Sequence, residues 1–178
     1  MKYIISFSVL VFLFSSCENS EENIFNFIEF ETLAVEELTN SEILYTENGL
    51  LKVKVISKKM ERFSDEEERI ELSGDVHFDF YKLDRDSTKS ILTCNKAVIN
   101  NTINIMTAFK DVVLISSDGK ELITEELIWD KNKNIIYTDL EITIKTEDEL
   151  IKGVGFKSTP DFEEYEIKKA SGVFSIEN

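Results

Sequence analysis

Few side chains in this sequence of 178 residues are of the kinds that make and break bonds. There is one His and two Cys, against 35 Asp+Glu. A structural zinc site needs about four N or S ligands, and His77 with Cys94 falls short of that. His77 sits on the polar face of an alternating segment and is expected to face solvent. Cys94 holds a strand position as a small apolar filler, with no base at a defensible spacing to activate it. Gly153-Val154-Gly155 lacks the helix start and lysine of a phosphate-cradling loop. The run Asp65-Glu66-Glu67-Glu68 lacks the spaced oxygen ligands and central glycine of a calcium loop. It reads as a solvated turn between strands ending near Phe63 and starting near Ile70. A carboxylate pair for glycoside hydrolysis can always be drawn from so many acids, but abundance is not positioning. The expectation is a protein that is not an enzyme, with no cofactor and no metal.

The bulk properties narrow the class further. A net charge of −15 argues against nucleic acid as a partner, because phosphate binding requires a basic stripe that releases counterions. No run of 18 apolar residues provides an ordinary membrane-spanning helix. A 42% apolar content is enough for a core, and 21 Ile against four Ala favour pleated, half-buried strands over helices.

The N-terminus reads as an address. Met1 and Lys2 form a short basic start, Tyr3 to Phe14 is an apolar run too short to span a bilayer, and Phe14-Ser15-Ser16 leads into Cys17. The small residues before Cys17 resemble the lipobox of bacterial lipoproteins. That resemblance implies cleavage after Ser16 and a diacylglycerol on the Cys17 thiol. Residues 1–16 are then a lipoprotein signal peptide, 17–37 a lipid-anchored tether, and 38–178 a single β domain. Cys94 is left as the sole remaining thiol of that body, so its fold must stand on apolar packing and not on an internal disulfide.

In the body, Ile70, Leu72, Val76, Phe78 and Phe80 share one face, and Glu71, Ser73, Asp75, His77 and Asp79 the other, with Gly74 interrupting the apolar side. Val53 and Val55 alternate with Lys52 and Lys54. Leu140, Ile142 and Ile144 alternate with Glu141, Thr143 and Lys145. Asn48-Gly49, between Ile43-Leu44-Tyr45 and Val53, is a strong hairpin signal. Polar breaks at Asn100-Asn101, Ser117-Asp118-Gly119 and Asp130 to Asn134 mark further turns.

The pattern also repeats. Leu92, Cys94, Ala97, Ile99 and Ile105 align thirty positions on with Leu122, Thr124, Leu127, Trp129 and Ile135. Asp111, Val112 and Leu114 then align with Asp139, Leu140 and Ile142, at a spacing of 28. About three and a half units of some thirty residues signal a repeating sheet. A sheet with one apolar face must cover it, and two such layers stack about 10 Å apart. The expected fold is all-β: a two-layer antiparallel β-sandwich, or twisted open β-jelly roll. Whether its interior is a closed core or an open slot stays undecided at this level.

The order of these pieces resembles the LptC family, the periplasmic subunit of the lipopolysaccharide export system, and more broadly the OstA-like repeat proteins. The resemblance runs from about Leu38 to the C-terminus. It is carried by Tyr-Thr-Glu-Asn-Gly from Tyr45, Lys59-Met60-Glu61-Arg62-Phe63, Ser73-Gly74-Asp75-Val76, ITEELIWD from Ile123, Ile136-Tyr137-Thr138-Asp139, and IKGVGFKSTPDFEEYEI from Ile151. It implies a periplasmic protein that receives lipopolysaccharide from an inner-membrane ABC transporter. It also implies delivery to an LptA-like periplasmic bridge protein, with acyl chains lying between the two layers and domains joined by β-strand pairing. The best-known members carry an N-terminal transmembrane helix, whereas this chain has its lipobox-like Cys17. The departure bears on the N-terminal contact with the transporter and not on the β domain, and the expected location is periplasmic, lipid-anchored to the inner membrane.

On this reading the lipid-facing interior follows the alternation: Val53, Val55, Leu72, Val76, Phe78, Phe80, Leu92, Ile99, Ile105, Val112, Leu114, Leu127, Trp129, Leu140, Ile142 and Ile144. The C-terminal strand, with Val173, Phe174 and Ile176, is the expected partner edge. The alternative is a structural or adhesive envelope lipoprotein, built from the same repeats, that holds a protein partner over a dry interior.

Overall fold

The structure is a computed structural model, and it describes residues 34–64, 68–82 and 88–175. Nine strands follow in chain order: β1 (Glu36–Glu47), β2 (Leu50–Arg62), β3 (Arg69–Tyr81), β4 (Lys89–Asn100), β5 (Ile105–Ile115), β6 (Glu121–Asp130), β7 (Ile135–Lys145), β8 (Glu149–Ser158) and β9 (Tyr165–Ser175). They form one open antiparallel sheet whose spatial order equals its sequence order, β1 to β9. No helix occurs among the described residues. Residues 1–33, including Cys17, lie outside the described residues, as do most of the Asp65 to Glu68 turn and Ile176. Glu36 and Glu37, read from sequence as the end of the tether, are already paired in β1, opposite Arg62 and Glu61.

The turns fall where the polar breaks stand. Asn48 and Gly49 connect β1 to β2 with both residues at positive φ, the geometry whose twist matches that of the flanking strands. Residues 101–104 and 131–134 are four-residue turns that close on Asn104 and Asn134, thirty positions apart, both in the left-handed region. The two turns stack. The Lys131 N–H donates to Asn104 O at 3.0 Å, and Asn132 Nδ2 to Ile103 O at 3.2 Å.

A line of β-bulges crosses the sheet at mid-strand. The register breaks between Ile56 and Lys59, Ser73 and Val76, Thr93 and Lys96, Phe109 and Val112, Thr124 and Ile128, and Thr138 and Glu141, from β2 through to β8. On this line Gly74, Asp75, Lys110, Asp111 and Gly155 take positive φ. Each bulge bends its strand and sharpens the local twist, so the breaks together crease the sheet into two halves. Gly74, the residue that interrupts the apolar face in the sequence, sits on this crease at φ 75°, where a Cβ would lie 3.0 Å from that of Lys58. A Cβ there would press on Lys58, and the positive φ strains any residue but glycine.

Rows of apolar residues run across the sheet on both sides of the crease. Ile43, Val55, Phe78, Leu92, Leu114, Leu122, Ile144, Ile151 and Val173 each lie opposite the next, one from every strand. Beyond the crease, Ile70, Ile99, Met106, Trp129 and Ile136 form a matching row. The halves face each other. Phe80 of β3 and Trp129 of β6 are three strands apart in the sheet, yet their rings meet edge-on at 5.2 Å. Phe78, Leu72, Leu92, Leu114, Leu122, Leu127 and Ile144 are fully buried between them. The all-β sandwich expected from alternation is the fold observed.

The loop from Thr159 to Glu164 ties the halves together at the β8–β9 side. Ser90 Oγ donates to Pro160 O, Lys120 Nζ donates to Glu163 O at 3.1 Å, and Lys82 pairs with Glu163. Phe162 turns inward from this loop and is fully buried against Phe156 and Tyr165, at centroid distances of 5.4 and 5.5 Å. It plugs the sandwich on that side.

Candidate functional site

The interior opens toward β1 and β2. Between the halves lies an apolar cavity of about 110 Å³, whose walls include Ile43, Val53 and Val55 from one half and Ile70, Ile99, Met106 and Trp129 from the other. It adjoins a more polar mouth of about 310 Å³ lined by Lys52, Phe80, Lys82, Lys131, Pro160 and Asp161 among others. Tyr45, Val53, Trp129 and Lys131 line both. Tyr45 stands between them, its ring edge-on to Trp129 at 6.1 Å and beneath the Lys131 ammonium at 5.6 Å. Local sequence explains this placement. Tyr45 sits just before the Asn48-Gly49 turn, where the β1–β2 register shifts, and Trp129 ends the apolar alternation of β6.

The polar groups at the mouth are unequally matched. Lys52 pairs with Glu47 at 3.5 Å and Lys82 with Glu163, whereas no carboxylate of the described residues lies within ion-pair distance of Lys131. Burial pushes the Lys131 ammonium below the usual lysine range. Trp129 Nε1 is a buried donor with no acceptor among the described residues; a donor in that condition costs about 1–3 kcal/mol relative to a satisfied one.

Fourteen of the sixteen residues assigned to the interior are buried there: Val53, Val55, Leu72, Val76, Phe78, Phe80, Leu92, Ile99, Val112, Leu114, Leu127, Trp129, Ile142 and Ile144. Of these only Val53, Val55, Phe80, Ile99 and Trp129 line the cavity or its mouth; the other nine pack between the halves. The remaining two are corrected. Leu140 is 43% exposed. It lies on the crease beside Asp139, thirty positions from Lys110, and its N–H donates to Thr138 Oγ1 at 3.1 Å. Val112 and Leu114 correspond to Ile142 and Ile144, not to Leu140 and Ile142, since Thr124 lies opposite both Val112 and Ile142, and Leu122 opposite both Leu114 and Ile144. The spacing of thirty therefore holds throughout. Alternation with Ile142 and Ile144 puts Leu140 inward in the sequence, and the bulge between Thr138 and Glu141 breaks that phase. Ile105 is only partly buried, because Met106 and Ala108 carry the inward phase of β5.

Sequence reasoning also missed Tyr45, Ile43, Met106 and Lys131 at the opening, and Phe162 in the plug. Phe162 had a signal in an apolar residue held within a Pro-Asp turn; the others are brought together only by the crease.

The remaining candidates for chemistry are structural. Burial pushes the Cys94 thiol up to about 11, which keeps it neutral and unreactive near pH 7. His77 lies on the outer face but is half-buried rather than open to solvent. Its Nε2 is 3.0 Å from Asp79 Oδ1, and Lys89 Nζ donates to the same oxygen at 2.7 Å. Burial pushes the Asp79 carboxyl up, but the hydrogen bonds and charges of Lys89 and His77 outweigh it and hold the carboxyl below the ordinary range. No group of three or more His, Cys, Asp or Glu side chains among the described residues is arranged to hold a metal.

At the far edge of the sheet, β9 pairs with β8 alone among the described residues. Val173 is 58% exposed on it, and Phe174 lies opposite Leu150.

Among proteins of curated function, none matched the chain. Residues 35–172 match the family model described as "Lipopolysaccharide-assembly, LptC-related", a span that starts one residue before β1 and ends within β9. With the creased antiparallel sheet and its apolar opening, that match makes the chain a member of the LptC-related family, whose work is lipopolysaccharide transport in the periplasm at the inner membrane.

Proposed function

We propose that this protein receives lipopolysaccharide from the inner-membrane ABC transporter and passes it to a periplasmic bridge protein, holding acyl chains between the two halves of its sheet. The observation that carries this is the apolar cavity whose walls come from both halves and which continues into a polar mouth. An amphiphile with several chains needs such walls and no catalytic group. Shielding a dozen methylenes is worth on the order of 10 kcal/mol at about 0.8 each. Exposed carboxylates repel the headgroup less strongly, being screened over a Debye length of about 8 Å.

At about 110 Å³ the cavity is smaller than the roughly 300 Å³ at which ligand pockets begin. It is the entry to a slot that widens as the halves part, with Tyr45 leaving Trp129. The Phe162 plug keeps the β8–β9 side shut, so chains enter from the β1–β2 side. Cys17 carries the lipid anchor, residues 17–37 the tether, and the free edge of β9 adds a strand of the bridge protein through its unpaired backbone groups.

The test is site-specific photo-crosslinking in cells. A photoreactive residue at Val55 or Ile99 captures lipopolysaccharide, and one at Ile123, exposed on the outer face, does not. A folded protein unlabelled at both inner positions overturns the reading. Removal of residues 173–178 abolishes pairing with the bridge protein, and Cys17→Ser releases the protein from the membrane.

A further inference from the structure

Two residues at the mouth pose a problem that the slot alone does not solve. Trp129 and Lys131, two positions apart at the end of β6, line both the apolar cavity and the polar mouth. The indole Nε1 is a buried donor without an acceptor among the described residues. The Lys131 ammonium is the lysine at the mouth with no carboxylate of the described residues within ion-pair distance. Its near neighbour is the face of Tyr45 at 5.6 Å, which favours a cation but accepts no strong hydrogen bond. The pair therefore offers a donor and a positive charge that no group of the described residues engages by hydrogen bond or ion pair.

We propose that Trp129 and Lys131 form a clasp for the phosphate oxygens of an acylated headgroup, so that the slot selects phosphorylated over neutral amphiphiles. The proposal rests on the lipid-slot reading above. The placement fits an amphiphile. Chains in the apolar cavity bring the junction between chains and headgroup to Trp129, and the mouth of about 310 Å³ has room for a phosphate beyond it. A phosphate is rich in acceptors and anionic, and charge-assisted bonds of this kind are about twice as strong as neutral ones. An arriving anion offsets the desolvation that lowers the Lys131 pKa. Glu47 does not compete, being held by Lys52. Asp161, also at the mouth, accepts through Oδ1 from Thr159 Oγ1 at 2.5 Å and from the Glu163 N–H at 3.3 Å.

Trp129 is the one tryptophan of the chain, so its fluorescence reports on the site without a label. The full chain, in neutral detergent, is titrated with an acylated disaccharide bearing phosphates, with the same disaccharide lacking them, and with inorganic phosphate alone. The expected result is about tenfold tighter binding of the phosphorylated lipid, the size of one charge-assisted hydrogen bond. Lys131→Gln brings the two lipids to within about twofold of each other. Trp129→Phe, followed by calorimetry, weakens the phosphorylated lipid more than the neutral one. Equal affinity of the unaltered protein for both lipids overturns the clasp and leaves the slot standing, as does a preference that survives Lys131→Gln. Saturation of the fluorescence change by inorganic phosphate at lipid-like concentrations also overturns it, by assigning the site to the free ion. Failure of either lipid to bind a chain shown to be folded overturns the slot and the clasp together.

Discussion

Val55→Phe separates a real opening from tight packing. Val55 is buried between its cross-strand neighbours Ile43 and Phe78 and forms part of the wall of the apolar cavity. At about 24 cal/mol per Å³ of cavity, a void of 110 Å³ corresponds to about 2.6 kcal/mol if fully enclosed. Because the cavity continues into the mouth, a phenyl ring filling it is expected to stabilise by about 0–2 kcal/mol. Leu114→Phe is the control. Leu114 is fully buried between Leu92 and Leu122, away from the cavity, and overpacking there costs about 1–3 kcal/mol. Urea unfolding followed by circular dichroism reads both, and in a domain of this size each kcal/mol moves Tm by about 2–4 °C. Val55→Phe keeps or raises stability while losing lipopolysaccharide binding, and Leu114→Phe loses stability. Equal destabilisation of the two variants would refute the cavity as usable space.

Other perturbations test the frame around the slot. A Cβ at Gly153 would lie 2.7 Å from Ile167 Cγ2 and 2.8 Å from Lys169 O. The backbone atom cannot give way cheaply, so Gly153→Ala costs about 1–3 kcal/mol and exposes β9 amides to hydrogen exchange before those of β4 to β6. Asp79→Asn removes the carboxylate shared by Lys89 and His77 and costs about 1–2 kcal/mol near pH 7. Since the folded carboxyl titrates below its ordinary value, its stabilisation is fully present above the unfolded pKa of about 3.9 and is lost as pH falls through the lowered folded value. The gap between Asp79→Asn and the unaltered protein therefore narrows in urea melts below about pH 4. Cys94 reacts with thiol reagents only on unfolding, because its thiol is buried and neutral.

The strands were readable because the sheet has one wet face. Ile70 to Phe80 and the Asn48-Gly49 turn state their geometry locally, through alternation and turn chemistry. The crease is harder to read. A bulge changes the facing of residues without changing their hydrophobicity, so Leu140 looks as inward as Ile142 and is exposed. The correct spacing of thirty is visible between the turns ending at Asn104 and Asn134, and applied throughout it would have placed Lys110 and Leu140 together on the crease. The opening is least legible of all. Tyr45, Val55, Ile99 and Trp129 come from four strands and meet only after the sheet folds over. Local pattern shows which residues face inward, but not whether the two inner faces meet.

The central claim is that acyl chains lie between the halves of the sheet. Lipopolysaccharide carrying a nitroxide in an acyl chain, bound to the methyl-labelled protein, tests it most directly by paramagnetic broadening. Methyl signals of Val53, Val55, Ile70 and Ile99 broaden, and those of the outward Ile115 and Ile123 stay sharp. Binding that leaves the four inner residues sharp, or broadens the outer two equally, contradicts it.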